Sequence, residues 1–404
     1  MAINLELPGK LQAVIDKAHQ GAAEMLRPIS RKWDLREHEY PVELDTLATL
    51  FEGIQDANAF AFAGAEAFRD VTEAKDVNHN GANMSAVLNV MEISWGDVAL
   101  MLSVPRQGLG NAAISSVATP EQLDSLGKDV WAAMAITEPG FGSDSAAVST
   151  TAKLDGDEYV INGEKIYVTA GSRATHIVVW ATLDKSLGRA AINSFIVPRQ
   201  HPGVTVERLE DKLGIKASDT AAIRFDNVRI PKENLLGSPE IQVEKGFAGV
   251  METFDNTRPV VAAMAVGIAR AALEELRKIL AAAGIEISYD KPSHAQSAPA
   301  AEFLRMESDW EAAYLLTVRS AWQADNDIPN SKEASMGKAK AARVASDITL
   351  KAVELAGTVG YSEVTLLEKW ARDSKILDIF EGTQQIQLLV VARRLLGLSS
   401  AELK

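Results

Sequence analysis

Thr137-Glu138-Pro139-Gly140-Phe141-Gly142-Ser143-Asp144 is where the texture of the chain changes. Before it, apolar residues recur at helical spacing; after it, they come in short runs bounded by turn residues. Two glycines flanked by hydroxyls leave backbone N–H groups freely presented, which suits a loop wrapping a phosphate or the polar edge of a ring. The same residues also make an ordinary turn. The stretch therefore marks a boundary, and its surroundings have to say of what.

On its N-terminal side, Leu11, Val14, Ile15 and Ala18 show three- and four-residue spacing. Pro41 and Pro120 stand at expected helix starts, Pro120 preceded by Thr119 as a cap. Asp70, Asp76 and Asn78-His79-Asn80-Gly81 mark a loop, and the run Ala59-Phe60-Ala61-Phe62-Ala63-Gly64 with Phe68 reads as core packing. A further helix is expected from about Met84 through Trp95, interrupted by Pro105, Gly108 and Gly110.

On the C-terminal side, Tyr159-Val160-Ile161 and Lys165-Ile166-Tyr167-Val168-Thr169 read as two strands about an Asn162-Gly163 turn. Ile177 to Trp180, Ser194 to Val197, Val204 to Val206 and Ala222 to Phe225 continue the series. After Gly237 the helical period returns, with helices expected at 258–280, 300–325, 333–355 and 385–396 and a loop or mobile connection at 284–299. The expected organisation is α+β: a helical region over 1–133, a β domain over 134–240 and a helical region over 241–404.

At 404 residues the chain needs more than one small core. A net charge of −14 with interspersed signs argues against nucleic acid or an anionic membrane as the main partner. No cysteine is present, so disulfides, thiolate catalysis and thiolate-ligated metals are excluded. Glu6 interrupts what would be a signal-peptide core, and no apolar run is long enough to span a bilayer, so a cytoplasmic location is expected. The histidines are scattered, and no Gly-x-Ser-x-Gly, His-Glu-x-x-His or Walker-type pattern occurs, so no metal site is expected.

A second stretch draws attention near the C-terminus: Ile379-Phe380-Glu381-Gly382-Thr383-Gln384-Gln385-Ile386-Gln387. It sets a carboxylate beside a glycine and an aromatic residue, then a hydroxyl and amides where a helix starts. That is compatible with a placed base beside an anion-friendly helix N-terminus, and equally with a plain cap.

Taken in order, the 137–144 stretch, Asn162-Gly163-Glu164-Lys165-Ile166-Tyr167-Val168-Thr169-Ala170-Gly171, Phe225-Asp226-Asn227-Val228-Arg229-Ile230-Pro231 with Leu235-Leu236-Gly237, and Phe380-Glu381-Gly382-Thr383 resemble the acyl-CoA dehydrogenase family. The similarity runs from about residue 85 onward. It implies an N-terminal helical domain, a central β domain and a C-terminal four-helix bundle holding FAD between them. It also implies that Ile136, Thr137, Gly142, Tyr167 and Thr169 contact the flavin region, Ser143 the phosphate and CoA region, and Thr383 and Gln385 the pyrophosphate. Glu381 falls on the position of the catalytic base, which takes the α proton of an acyl-CoA thioester while hydride leaves the β carbon for flavin N5. Backbone donors near Glu381 and a ribityl hydroxyl of FAD would polarise the thioester carbonyl. Asp255 and Arg258, with Phe380 and Gly382, would lie beside the substrate, as in medium-chain-type members; from local sequence, Arg258 also reads as a helix-start arginine paired with Asp255. An electron-transferring flavoprotein would be the electron acceptor, and a dimer of dimers the assembly.

The chain departs from the family pattern in places. Tyr167 stands where a tryptophan is usual and Ala170 where an asparagine is. The arginine and glutamine that reach across a dimer to the neighbour's FAD are missing: no arginine lies between Arg277 and Arg305, and Glu354 replaces the glutamine. Arginine's bidentate fork has no substitute there. The expectation is an unequal pair in which this chain supplies Glu381 and a homologous subunit supplies the clamp; the rival is a homo-oligomer without it. A non-catalytic structural subunit and a flavin oxidase or monooxygenase are the alternatives in function. Acyl chain length and type are not legible.

Overall fold

The structure is a computed structural model and describes residues 9–46, 48, 81–105, 109–127, 130–240, 248–398 and 402. The Ala59–Phe68 run and the loop at 70–80 lie outside the described residues.

The chain opens with helices α1 (Gly9–Gly21) and α2 (Ser30–Asp34), followed by α3 (Ala82–Met101), α4 (Leu109–Val117) and α5 (Pro120–Leu126). Thr119 and Gln122 cap α5 reciprocally, each side chain bonding the other's backbone N–H, with Pro120 at the first position as the sequence predicts. Gly110 does not break a helix; it lies inside α4, where a Cβ would stand 2.1 Å from the Ala132 carbonyl oxygen. Its role is close packing of helix on strand.

Eight strands then form one mixed sheet: β1 (Ala132–Ala135), β2 (Thr151–Asp155), β3 (Glu158–Thr169), β4 (His176–Thr182), β5 (Ile192–Pro198), β6 (Val204–Leu209), β7 (Thr220–Pro231) and β8 (Leu235–Leu236). The order is β6-β7-β3-β2-β4-β5-β8, with β1 parallel to β4. The predicted Asn162-Gly163 turn is wrong. Those residues lie within β3, and the hairpin to β2 turns at Gly156-Asp157, because Asp155 pairs with Glu158. Gly163 is needed for a different reason: at φ 155°, a Cβ there would stand 2.4 Å from the Thr150 hydroxyl.

After the sheet come α6 (Ala248–Ala282), α7 (Ala298–Asp325), α8 (Ser331–Tyr361), α9 (Leu367–Leu377) and α10 (Gln384–Leu396). The alanine-rich face of α6 is buried from Val260 to Ala272 among α3, α7 and α8. Small side chains there let helices approach closely. Helix α9 was not expected from the sequence, because several of its charged residues point inward. Lys369 is buried between Asp97 (2.8 Å) and Asp373 (2.5 Å), and Asp373 also accepts from the Ile215 N–H. Asp97 breaks α3 with extended backbone and caps its continuation through the Leu100 N–H. Arg372 adds two bonds to Asp34 and one to the Leu213 carbonyl. These contacts fasten α9, and with it the turn that follows, to the N-terminal helices and to the segment joining β6 and β7. Segment 284–299, expected to be a loop or mobile connection, is a loop up to the start of α7 at Ala298, and it is fastened: the Ser288 N–H donates to Gln296, and Arg277 and Glu307 hold the Tyr289 hydroxyl.

Candidate functional site

Between α9 and α10, Glu381 and Gly382 adopt left-handed backbone, φ 55° and 88°. Glycine takes this conformation freely, whereas glutamate does so only when its surroundings hold it there. The surroundings are explicit. The Gln387 side-chain amide donates to the Glu381 carbonyl (2.9 Å) and the Gly382 carbonyl (3.0 Å), and Lys338 Nζ donates to the same Gly382 carbonyl (2.7 Å). A Cβ on residue 382 would strike the Gln387 amide nitrogen at 2.6 Å, so the glycine serves both backbone and packing.

The turn presents the Glu381 carboxylate to α6, where the Thr257 hydroxyl donates to Oε2 at 2.7 Å. Burial pushes the carboxyl above the ordinary glutamate range, and the Thr257 bond and the nearby positive charges of Arg258 and Lys338 only partly offset it. Thr257, Lys338 and Gln387 are the partners that the sequence reading missed. The one signal in the sequence is a hydroxyl, Thr257, directly before Arg258. Arg258 is buried (2% exposed) and reaches Ser335 at 3.5 Å. Asp255 lies on α6, and its side chain is outside the described residues. Phe380 is half-buried against the helical core.

Thr383 is the N-cap of α10, its hydroxyl accepting from the Ile386 N–H at 3.4 Å. The cap reading holds, and the hydroxyl proton stays available to a ligand. Gln385 is exposed in the first turn of the helix.

The other group of predicted residues sits at the start of the sheet. Glu138 is buried and folds the loop around itself, accepting from the backbone N–H and hydroxyl of both Ser149 and Thr150 and from Lys165 Nζ at 2.8 Å. Burial alone would push this carboxyl up; the Lys165 ammonium and the hydroxyl donors bring it down to about 2. Burial lowers Lys165 to about 8 against the pull of Glu138, so both stay charged at neutral pH. Lys165 Nζ also donates to the Ile136 carbonyl, and the Ile166 N–H to that of Thr137. The loop that results carries Gly140, Gly142 and Ser143 outward and exposed.

Nothing lies within 4 Å of where a Cβ would stand on Gly140 or Gly142, and neither has a φ that demands glycine. Packing inside the chain gives no reason for either, whereas bare backbone donors approached by a phosphate or ring edge do. Tyr167, at φ 59°, turns its ring outward, 62% exposed, with Thr169 two residues on in β3. An exposed flat ring, open backbone donors and a capped helix start with Thr383 and Gln385 fit a flavin with its pyrophosphate.

The two arginines that flank the stretch lacking the family's clamp are engaged within the chain: Arg277 is bonded to Tyr289 (2.5 Å) and Glu307 (2.6 Å), and Arg305 to Glu302 and Asp309. Glu354 pairs with Lys351 at 2.5 Å. Glu37, His38 and Asp211 come close enough to hold a cation, yet Glu37 already pairs with Lys212 and Lys216. No described helix is long and apolar enough to cross a membrane.

Known proteins resemble this chain over most of its length. Residues 133–228 match the acyl-CoA dehydrogenase middle domain and 244–396 the acyl-CoA dehydrogenase C-terminal domain. The short-chain specific acyl-CoA dehydrogenase of Bos taurus is 34% identical over 404 residues, covering 97% of this chain and 92% of that one. The match to the Rattus norvegicus enzyme is 40% identical over 269 residues, 65% of this chain and 62% of that one. A 3-(aryl)acrylate reductase of Clostridium sporogenes is 33% identical, with 92% and 98% covered. The solved structure of butyryl-CoA dehydrogenase from Megasphaera elsdenii superposes with a TM-score of 0.82 at 29% identity, covering 98% of this chain and all of that one. The chain belongs to the acyl-CoA dehydrogenase family of FAD-dependent oxidoreductases.

Proposed function

We propose that this chain carries out α,β-dehydrogenation of an acyl-CoA thioester with Glu381 as the base. The observation that carries the reading is the pairing of a left-handed turn, held from beneath, with a carboxyl whose burial raises its pKa. A base that must take a weakly acidic α proton works best near the operating pH, and a glutamate at its ordinary value of about 4.3 is too weak. Thr257 holds Oε2, which leaves Oε1 to receive the proton. FAD, when bound, supplies the acceptor for the hydride leaving the β carbon. The α C–H and β C–H bonds break, the carbon–carbon double bond forms, and the proton ends on Glu381. Phe380 beside the base helps exclude water once an acyl chain covers the site.

Ser143, Gly142, Ile136, Thr137, Tyr167, Thr169, Thr383 and Gln385 hold the cofactor in this reading, with Asp255 and Arg258 toward the substrate. An electron-transferring flavoprotein takes the electrons. The chain works as the base-bearing member of an unequal pair. In support, Arg277 and Arg305 are committed to intrachain carboxylates, and a carboxylate, Glu354, stands where the family has its glutamine. The test is to bleach the flavin with a panel of straight-chain, branched and steroid-derived acyl-CoAs and to measure bound FAD, with the chain alone and with homologous subunits. Stoichiometric FAD and full turnover in the lone chain would refute the unequal pair. Oxygen consumption during turnover would mark an oxidase instead.

A further inference from the structure

Among the described residues, three lysines are buried to 1% exposure or less: Lys165, Lys338 and Lys369. Two have a carboxylate in direct contact, Lys165 on Glu138 and Lys369 on Asp97 and Asp373. Lys338 differs. Among the described residues its hydrogen bond goes to a neutral group, the Gly382 carbonyl, and no carboxylate lies within ion-pair distance. Burying an ammonium without a contacting counter-charge is costly, and an apolar side chain would fill the same space without that cost. Packing alone does not account for this residue.

We propose that Lys338 is the positioning residue of the base: from α8 it locks the left-handed Glu381-Gly382 turn through the Gly382 carbonyl and, as a fixed positive charge behind the turn, sets the pH at which Glu381 can accept a proton. This rests on Glu381 being the base. The charged groups that face Lys338 are Asp378 at the end of α9, Glu381 on the turn and Arg258 on α6. Asp378 is shared with Arg343 (3.0 Å) and Lys375 (3.3 Å), so its charge is largely answered elsewhere. Arg258 repels Lys338 and attracts Glu381. Burial brings Lys338 down to about 8, against the pull of Asp378 and Glu381, so its charge falls away above that pH. Gln387 holds the same carbonyl without a charge, which makes it the natural control.

The experiment compares Lys338→Met, Lys338→Arg and Gln387→Leu in the FAD-bound full-length protein, with its partner subunit if flavin retention requires one. Two quantities are read: the pH dependence of flavin reduction by the acyl-CoA that bleaches wild type fastest, and infrared titration of the protonated carboxyl band that Glu381→Gln removes. Lys338→Met should move the acid limb and the band titration to higher pH and slow reduction on the order of tenfold through a loosened turn. Lys338→Arg should keep the wild-type acid limb. Gln387→Leu should slow reduction with the limb unmoved. Coincident titrations in Lys338→Met and wild type would overturn the proposal. If Lys338→Met does not fold, Lys338→Gln decides: its amide can still donate toward the Gly382 carbonyl but carries no charge, so its acid limb and band titration should also move to higher pH, and an unmoved limb overturns the proposal. Failure of the underlying base reading is distinguished by Glu381→Gln, which would then still exchange the α proton.

Discussion

Two glycine-bearing turns carry residues proposed for this site, each with a fully buried lysine beneath it, and their carboxylates behave in opposite ways. In the 137–144 loop, Glu138 touches Lys165 directly and accepts four further bonds, and its carboxyl falls to about 2. In the 380–383 turn, Glu381 has one hydroxyl bond and its lysine bonds the backbone instead, so burial wins and the carboxyl rises. Position beside a lysine does not decide the outcome; direct contact and donor count do. The saturated carboxylate is a structural post, and the under-solvated one is left able to take a proton.

Changes on either side test that contrast. Largest in effect should be Glu381→Gln, which removes the proposed proton acceptor: flavin reduction by an acyl-CoA should fall by at least about a thousandfold, with the melting temperature little changed. A variant retaining a tenth of wild-type rate would end the distinction between the two carboxylates. Glu138→Gln should do the reverse, costing about 3–5 kcal/mol in denaturant unfolding because it leaves Lys165 buried and unpaired. Replacing both, as Glu138→Gln with Lys165→Met, should recover much of that loss; no recovery would mean the pair is not what holds the loop.

The two carboxyls also differ in pH response. Glu138 is depressed in the folded state, so its stabilisation is complete above its unfolded value near 4.3 and is lost as pH falls toward about 2. Thermal unfolding followed through that window should show the loss, and Glu138→Gln should abolish it. Glu381 is raised, so its charged form is disfavoured by folding, and the acid limb of activity should lie above that of a free glutamate. Smallest is Thr257→Val: removing the bond to Oε2 should move that acid limb further up and slow reduction by roughly fivefold. An unmoved limb would show that Thr257 contributes only packing.

Much of this was legible in the residues. Helical spacing located most helices, and Thr119-Pro120 gave a cap that the structure reproduces. The two glycine turns were found as motifs. Other features were misread for definite reasons. Asn162-Gly163 has the composition of a turn, but close passage of Thr150 explains the glycine, and the chain turns at Gly156 instead. Helix α9 escaped because Lys369 and Asp373, which read as surface residues, are buried against Asp97. Periodicity registers polarity, and here polar residues face inward.

What the sequence determined by itself was the order of helices and strands, the two turns and the carboxylate offered by one of them, because each rests on residues close together in the chain. What the tertiary structure decided was the state of that carboxylate. Thr257 lies 124 residues before Glu381, and Lys338 lies 44 residues before Gly382. Only folding brings a hydroxyl from α6 and an ammonium from α8 to one turn, and burial there, which no local pattern encodes, turns an ordinary glutamate into one suited to take a proton.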